Sequence, residues 1–126
     1  MKDPAFTTRT TLNECSKGLE FVSNGDGTCS VSRIGTCTDT DIKIPSVYNG
    51  EKVTSIGAVA FCGCSNLTSI MIPDSVTSIG IHAFDDCAGL TSISIPNSVA
   101  SIGKFAFRGC TSLKNITMGN GISLEF

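Results

Sequence analysis

A 23-residue period decides what this chain can fold into. Val53-Thr54-Ser55-Ile56-Gly57 recurs as Val76-Thr77-Ser78-Ile79-Gly80 and as Val99-Ala100-Ser101-Ile102-Gly103, offset by 23 residues both times. Everything between keeps register. Ala60-Phe61 returns as Ala83-Phe84 and Ala106-Phe107, Cys64 as Cys87 and Cys110, Leu67 as Leu90 and Leu113, and Ile70 as Ile93 and Ile116. Ile72-Pro73 returns as Ile95-Pro96, and in the third copy those places hold Met118-Gly119. A half copy lies upstream at Cys37 through Ile42-Lys43-Ile44-Pro45, joined through a longer loop, 46–52. A unit this small cannot bury its own apolar face. Stacking buries it, so Val, Ile, Phe, Cys and Leu of successive units line up in internal columns.

The local signals divide each unit. Leu67-x-x-Ile70-x-Ile72 alternates apolar residues at its end and reads as a strand, and Pro73 stops it because proline cannot donate to a ladder. Gly57 predicts a tight turn. Residues 58–63 are too few for a stable isolated helix and predict a single helical or 3-10 turn. The strands then form one parallel sheet on one face, about 4.8 Å apart.

The unit V-x-S-I-G-x-x-A-F-x-x-C-x-x-L-x-x-I-x-I-P resembles the short leucine-rich repeats of the BspA-like family. Leu90-Thr91-Ser92-Ile93-Ser94-Ile95-Pro96 and Ser75-Val76-Thr77-Ser78-Ile79-Gly80 carry the likeness, which covers about residues 42–118. It implies a leucine-rich-repeat solenoid, a right-handed β/α superhelix that is mostly β. It also implies a secreted or cell-surface setting and adhesion to host matrix proteins or other cells. No catalytic motif and no cofactor come with it.

The two ends differ. Leu19 to Val22 and Thr28 to Val31 flank Asn24-Gly25 and Asp26-Gly27, pairs that supply the positive φ angles of a hairpin turn. This predicts an N-terminal β-hairpin cap over the open core. The chain divides into a flexible arm (1–14), a capping hairpin (15–36) and the repeat array (37–126). Ile122 stands at the Val99 position, but no Ala-Phe pair follows it. The unfinished C-terminal edge predicts end-to-end pairing into a homo-oligomer.

Composition excludes several classes. With 126 residues, 40% hydrophobic and 16% charged, the chain is neither disordered nor a charged coiled coil. Net charge is -2 without clustered Lys or Arg, so no nucleic-acid partner is implied. No stretch approaches the roughly 20 apolar residues of a membrane span. Met1 to Phe6 gives way to Thr and Arg and lacks the apolar run of a secretory signal peptide.

Each candidate site has a plainer reading. Cys64, Cys87 and Cys110 could form a metal or redox column, but recurrence with Leu three residues later points to core positions. Stacked cysteines would hold Cβ atoms near the ~4.8 Å strand spacing, too far for the ~3.8 Å of a disulfide. Cys15, Cys29 and Cys37 lie outside the array, where a Cys15–Cys29 or Cys29–Cys37 bridge could staple the cap of an exported protein. Cys62 aligns with Asp85 and Arg108 and is expected outside and free. His82, Asp85, Asp86 and Cys87 could ligate a metal, yet His82 and Asp85 occupy variable outer-turn positions, so no metal is assigned. Asp85 and Arg108 are expected to form a surface ion pair, and Val59, Ile81 and Phe105 an apolar outer patch. The sequons Asn66-Leu67-Thr68 and Asn115-Ile116-Thr117 follow from the repeat grammar.

The strand face is the stronger candidate. The x positions of L-x-x-I-x-I project away from the core in two stripes, Asp41-Ser69-Ser92-Asn115 and Lys43-Met71-Ser94-Thr117. Small hydroxyl side chains with one soft methionine make an adaptable surface. The expected function is a non-catalytic module that binds a protein ligand, an extracellular-matrix or cell-surface protein, through this face. The alternative is a self-associating repeat fragment of a longer surface protein.

Overall fold

Both apolar stretches of each unit become strands. The computed structural model describes residues 17–118. Its strands are β1 (Glu20–Ser23), β2 (Thr28–Arg33), β3 (Asp41–Lys43), β4 (Val47–Tyr48), β5 (Glu51–Ile56), β6 (Ser69–Met71), β7 (Ser78–Ile79), β8 (Ser92–Ile95), β9 (Ser101–Ile102) and β10 (Asn115–Met118). They form a four-stranded sheet, β10-β8-β6-β3, and a six-stranded sheet, β1-β2-β5-β7-β9 with β4 beside β5. The sequence predicts one parallel sheet; the structure has two. The V-x-S-I stretch meets the same requirement as I-x-I, because its Val76 and Ile79 sink into the core opposite Ile70 and Ile72.

No helix occurs among the described residues, so the helical or 3-10 turn predicted at 58–63 is replaced by successive tight turns. Alternate amides go two ways. Ala60, Cys62 and Cys64 donate to Gly57, Val59 and Phe61 in their own unit, whereas Val59, Phe61 and Gly63 donate to Ile81, Ala83 and Asp85 in the next. The same ladder links His82 to Lys104, Phe84 to Ala106 and Asp86 to Arg108. A helix would aim its amides along its own axis and leave the neighbouring carbonyls unmatched. The turns require left-handed backbone at Val59, His82 and Phe105 (φ 56, 56 and 61) and at Gly63, Asp86 and Gly109 (φ 78, 64 and 76).

Gly57, Gly80 and Gly103 serve a different purpose from the predicted tight turn. None has a positive φ. A Cβ on Gly80 would lie 2.5 Å from the Ala58 nitrogen, and one on Gly103 2.4 Å from the Ile81 nitrogen. These glycines let one coil approach the backbone of the coil before it, with Gly80 N–H donating to Ile56 and Gly103 N–H to Ile79.

The columns fill the space between the sheets. Val53, Val76 and Val99 are buried, as are Ile42, Ile70 and Ile93, and Ala60, Ala83 and Ala106. Phe61, Phe84 and Phe107 stack nearly parallel, with centroids 5.3 and 5.4 Å apart and planes within 4°. A separation wider than the strand spacing offsets the rings, the favoured stacked arrangement.

The hairpin expected near residues 19–31 forms as β1 and β2. β2 then pairs parallel with β5, Cys29 beside Val53 and Val31 beside Ile56, so the stack begins before the sequence period shows. Residues 46–52, read from sequence as a loop, hold a second hairpin turning at Asn49 and Gly50 (φ 51 and 79). Tyr48 from this hairpin stacks on Phe21, with centroids 3.9 Å apart. The arm at 1–14 and the edge at 119–126 lie outside the described residues.

Two alanine substitutions separate the glycine roles. Gly80→Ala is expected to lower stability by about 3 kcal/mol through overpacking. Gly50→Ala, with open space around it, should cost about 1 kcal/mol through φ alone. Urea unfolding measures both, and equal losses would contradict the close-packing role.

Candidate binding face

The four-stranded sheet sets the eight predicted positions in backbone ladders one strand apart. Asp41, Ser69, Ser92 and Asn115 pair in one register, and Lys43, Met71, Ser94 and Thr117 in the other. Between them Ile42, Ile70 and Ile93 point inward and are buried, which turns the flanking residues outward. Asp41, Lys43, Ser69, Met71, Ser92 and Ser94 line an open groove of about 360 Å³. The structure thus brings six of the eight predicted residues to one depression. Asn115 and Thr117 continue the ladder in backbone register.

The groove is chemically graded. Asp41 and Lys43 put both signs of charge at its N-terminal end. The Asp41 carboxylate accepts from Ser69 Oγ at 2.7 Å and Thr68 Oγ1 at 3.0 Å. These bonds, Ser69 first, hold its carboxyl below the usual range, so it stays ionised at neutral pH. Met71 stands 59% exposed in the middle, and Ser92 and Ser94 follow. Thr68 and Thr91 also donate their hydroxyls to Thr40 and Thr68 carbonyls one coil back, which ties the rim to the ladder.

The turn side corrects one expectation. Asp85 lies on the outer turn but is not exposed there; it is 3% exposed. Its seclusion comes from two side chains laid over it rather than from depth. His82 Nδ1 lies 2.6 Å from Oδ2, and Arg108 donates to both oxygens, at 3.2 and 2.7 Å. The His82 hydrogen bond, then the Arg108 one, lowers the Asp85 carboxyl below its ordinary range. Phe105 completes the knot, stacked on His82 at 5.3 Å and beneath the Arg108 guanidinium at 5.1 Å. The sequence placed Asp85 beside Arg108 correctly but could not show that His82 would close over it. Val59, Ile81 and Phe105 are exposed, as the apolar outer patch requires.

The cysteines sort by coil. Cys87 and Cys110 are buried and their thiols donate to the Phe61 and Phe84 carbonyls at 3.0 and 3.1 Å. Burial pushes the Cys87 thiol up to about 12 and raises Cys110 as well. Such thiols are inert core groups. Cys29 and Cys37 are free, so the structure contains neither disulfide considered for the cap; Cys15 itself lies outside the described residues. Among the described residues no group of three His, Cys, Asp or Glu side chains is placed to hold a metal ion. No helix is long and apolar enough to cross a membrane. Sequence reasoning missed a second depression, of about 450 Å³, between Phe21, Val47 and Tyr48. Its walls are distant in sequence, and no local signal joins them.

Stacked coils, alternating strands and a laddered outer face define a leucine-rich-repeat domain, a class that generally serves as a protein-interaction module and not as an enzyme. The profile of the BspA-type leucine-rich-repeat region matches residues 33–124 in six copies, and the chain belongs to that family. Solved structures agree. A leucine-rich cell surface protein from Faecalibacterium prausnitzii A2-165 is 31% identical with TM-score 0.69, over 83% of this chain and 31% of that one. A leucine-rich repeat protein from T. pallidum is 30% identical with TM-score 0.79, over 85% of this chain and 50% of that one. One from Bacteroides capillosus ATCC 29799 is 26% identical with TM-score 0.58, over 80% of this chain and 94% of that one. The chain therefore spans a third to a half of the first two. No curated protein matches significantly.

The Asp85 knot makes a pH-dependent contribution. Because its folded carboxyl titrates lower than the unfolded one, its stabilisation is complete above about 3.8 and drains as pH falls from there through the lower folded value. Asp85→Asn should cost on the order of 1 kcal/mol at neutral pH. The gap to wild type should close in acid, as read by urea unfolding across pH. A gap that stays constant would show that charge is not the source.

Proposed function

We propose that this domain is a non-catalytic module displayed at a cell surface or secreted, and that it binds a protein ligand through the outer face of the four-stranded sheet. One observation carries the reading: six outward residues on β3, β6 and β8 converge on a single open groove. Backbone ladders hold the floor of that groove, so little ordering entropy opposes docking. Hydroxyls and Met71 offer adaptable contacts, and the Asp41–Lys43 end offers charge for orientation. Membership of the BspA-type family and the likeness to a cell surface protein support the location. An extracellular-matrix or cell-surface protein is the ligand class proposed. The β1–β2 hairpin, at the edge of the six-stranded sheet, acts as the N-terminal cap. Self-association as part of a longer array is the competing reading; its C-terminal surface, 119–126, lies outside the described residues.

Surface plasmon resonance over immobilised fibronectin and fibrinogen at physiological salt tests the proposal. Wild type should bind saturably. The double substitution Ser92→Arg with Ser94→Glu should weaken binding by tenfold or more, about 1.4 kcal/mol, with the thermal unfolding midpoint unchanged. Equal binding by the variant would move the ligand to another face. A folded wild type that binds neither protein would reject matrix adhesion.

A further inference from the structure

Cys62-Gly63-Cys64 breaks the cysteine pattern twice. At the Cys62 position the other coils hold Asp85 and Arg108, so this thiol is absent from the repeat grammar and stands exposed. Cys64 belongs to the buried column but differs from its members. Cys87 and Cys110 each donate to a phenylalanine carbonyl one coil back. The coil before Cys64 has Ile34 where Phe61 and Phe84 would stand, its carbonyl taken by the Cys37 amide. Cys64 is only partly buried and opens on a depression of about 250 Å³ that it shares with Cys37.

The turn between the two cysteines is open. Cys64 N–H donates to Phe61 O across Cys62 and Gly63, and Gly63 has a φ of +78° with nothing within 4 Å of where a Cβ would sit. Cys62, beside this glycine, is exposed to solvent and Cys64 is partly so. Burial first, and then the neighbouring Cys62 and Cys37, keep the Cys64 thiol protonated to higher pH. A bridge tolerates Cα separations of roughly 4.4–6.8 Å, a span that residues two apart in a tight turn can meet.

We propose that Cys62 and Cys64 form a thiol–disulfide exchange site for low-molecular-weight disulfides, with Cys62 attacking and Cys64 resolving. The Cys62 thiolate attacks one sulfur of R–S–S–R. A Cys62–S–S–R bond forms, and R–S⁻ leaves with the electron pair and takes a proton. The Cys64 thiolate then attacks the Cys62 sulfur, closing the Cys62–Cys64 disulfide and expelling the second R–S⁻. Two protein thiols are oxidised and one small disulfide is reduced to two thiols. A bridge across so short a turn is strained and exposed, the kind that is labile and gives its oxidation on to another dithiol.

Oxidised glutathione, mildly alkaline buffer, acid quenching and peptide mass mapping test the assignment on the full chain. Wild type should lose two hydrogens, with the new bond mapped to Cys62 and Cys64. Cys64→Ser should accumulate one glutathione at Cys62. Cys62→Ser, at an exposed site, should react at Cys64 about tenfold slower than wild type reacts at Cys62, because the partly buried thiol is less accessible and less ionised. Wild type that retains glutathione at Cys62 without closing the ring would remove the resolving role. Equal rates in wild type and Cys62→Ser, or a bond mapped to Cys37 and Cys64, would overturn the proposal.

Discussion

Backbone hydrogen bonding between successive coils is the constraint on which the rest depends. It does not stop at the sheets. At the corners Thr91 N–H donates to Thr68, Lys114 to Thr91, Thr77 to Thr54 and Ala100 to Thr77, each one coil back. The turns add the alternating amides of 59–63 and 82–86. With so much of the circumference laddered, added residues must fold out of the coil, as the 47–52 hairpin does, or misalign the bonds beyond them. That is why the period is 23 and why Val59, His82 and Phe105 accept left-handed backbone, which is unfavourable for residues with a Cβ. A buried amide without a partner costs as much or more.

The ladder also sets the spacing of everything on the surface. Outward residues repeat at the strand separation, so the face presents rows of side chains rather than isolated ones. Their backbone cannot drift, because Ile42, Ile70 and Ile93 anchor it from inside and Thr68 and Thr91 tie it at the rim. Close approach of the coils depends in turn on Gly80 and Gly103, where any side chain would meet the backbone of the coil before.

The columns and the outward stripes of the four-stranded sheet were legible from sequence because each depends on a residue and its copy 23 positions away. Ile70 and Ile93 recur, so Ser69 and Ser92 between their neighbours must share a face. The second sheet was less legible: V-x-S-I is two to four residues of strand, too short for alternation to declare itself. The glycines misled for a related reason. Gly57 looks like a turn residue, and only the packed coils show that closeness, not φ, selects it. The burial of Asp85 was not legible because it is the work of His82 and Arg108, side chains whose reach no periodicity encodes.

Not every residue in the groove has equal claim to recognition. β3 is the end strand of its sheet among the described residues, and Asp41 and Lys43 are its two outward side chains. Charges on an end strand discourage pairing with another chain, so these two have a sufficient reason to be present without any ligand. Ser69, Met71, Ser92 and Ser94 sit on β6 and β8, which are paired on both sides. Edge protection does not explain them, and core packing does not either, since they face outward. Met71 is the sharpest case. The repeat places Ser94 at the same position in the next coil, and an exposed thioether gains nothing from solvent. If the face binds a protein, the interior strands carry the selective contacts, and the charged end sets direction of approach.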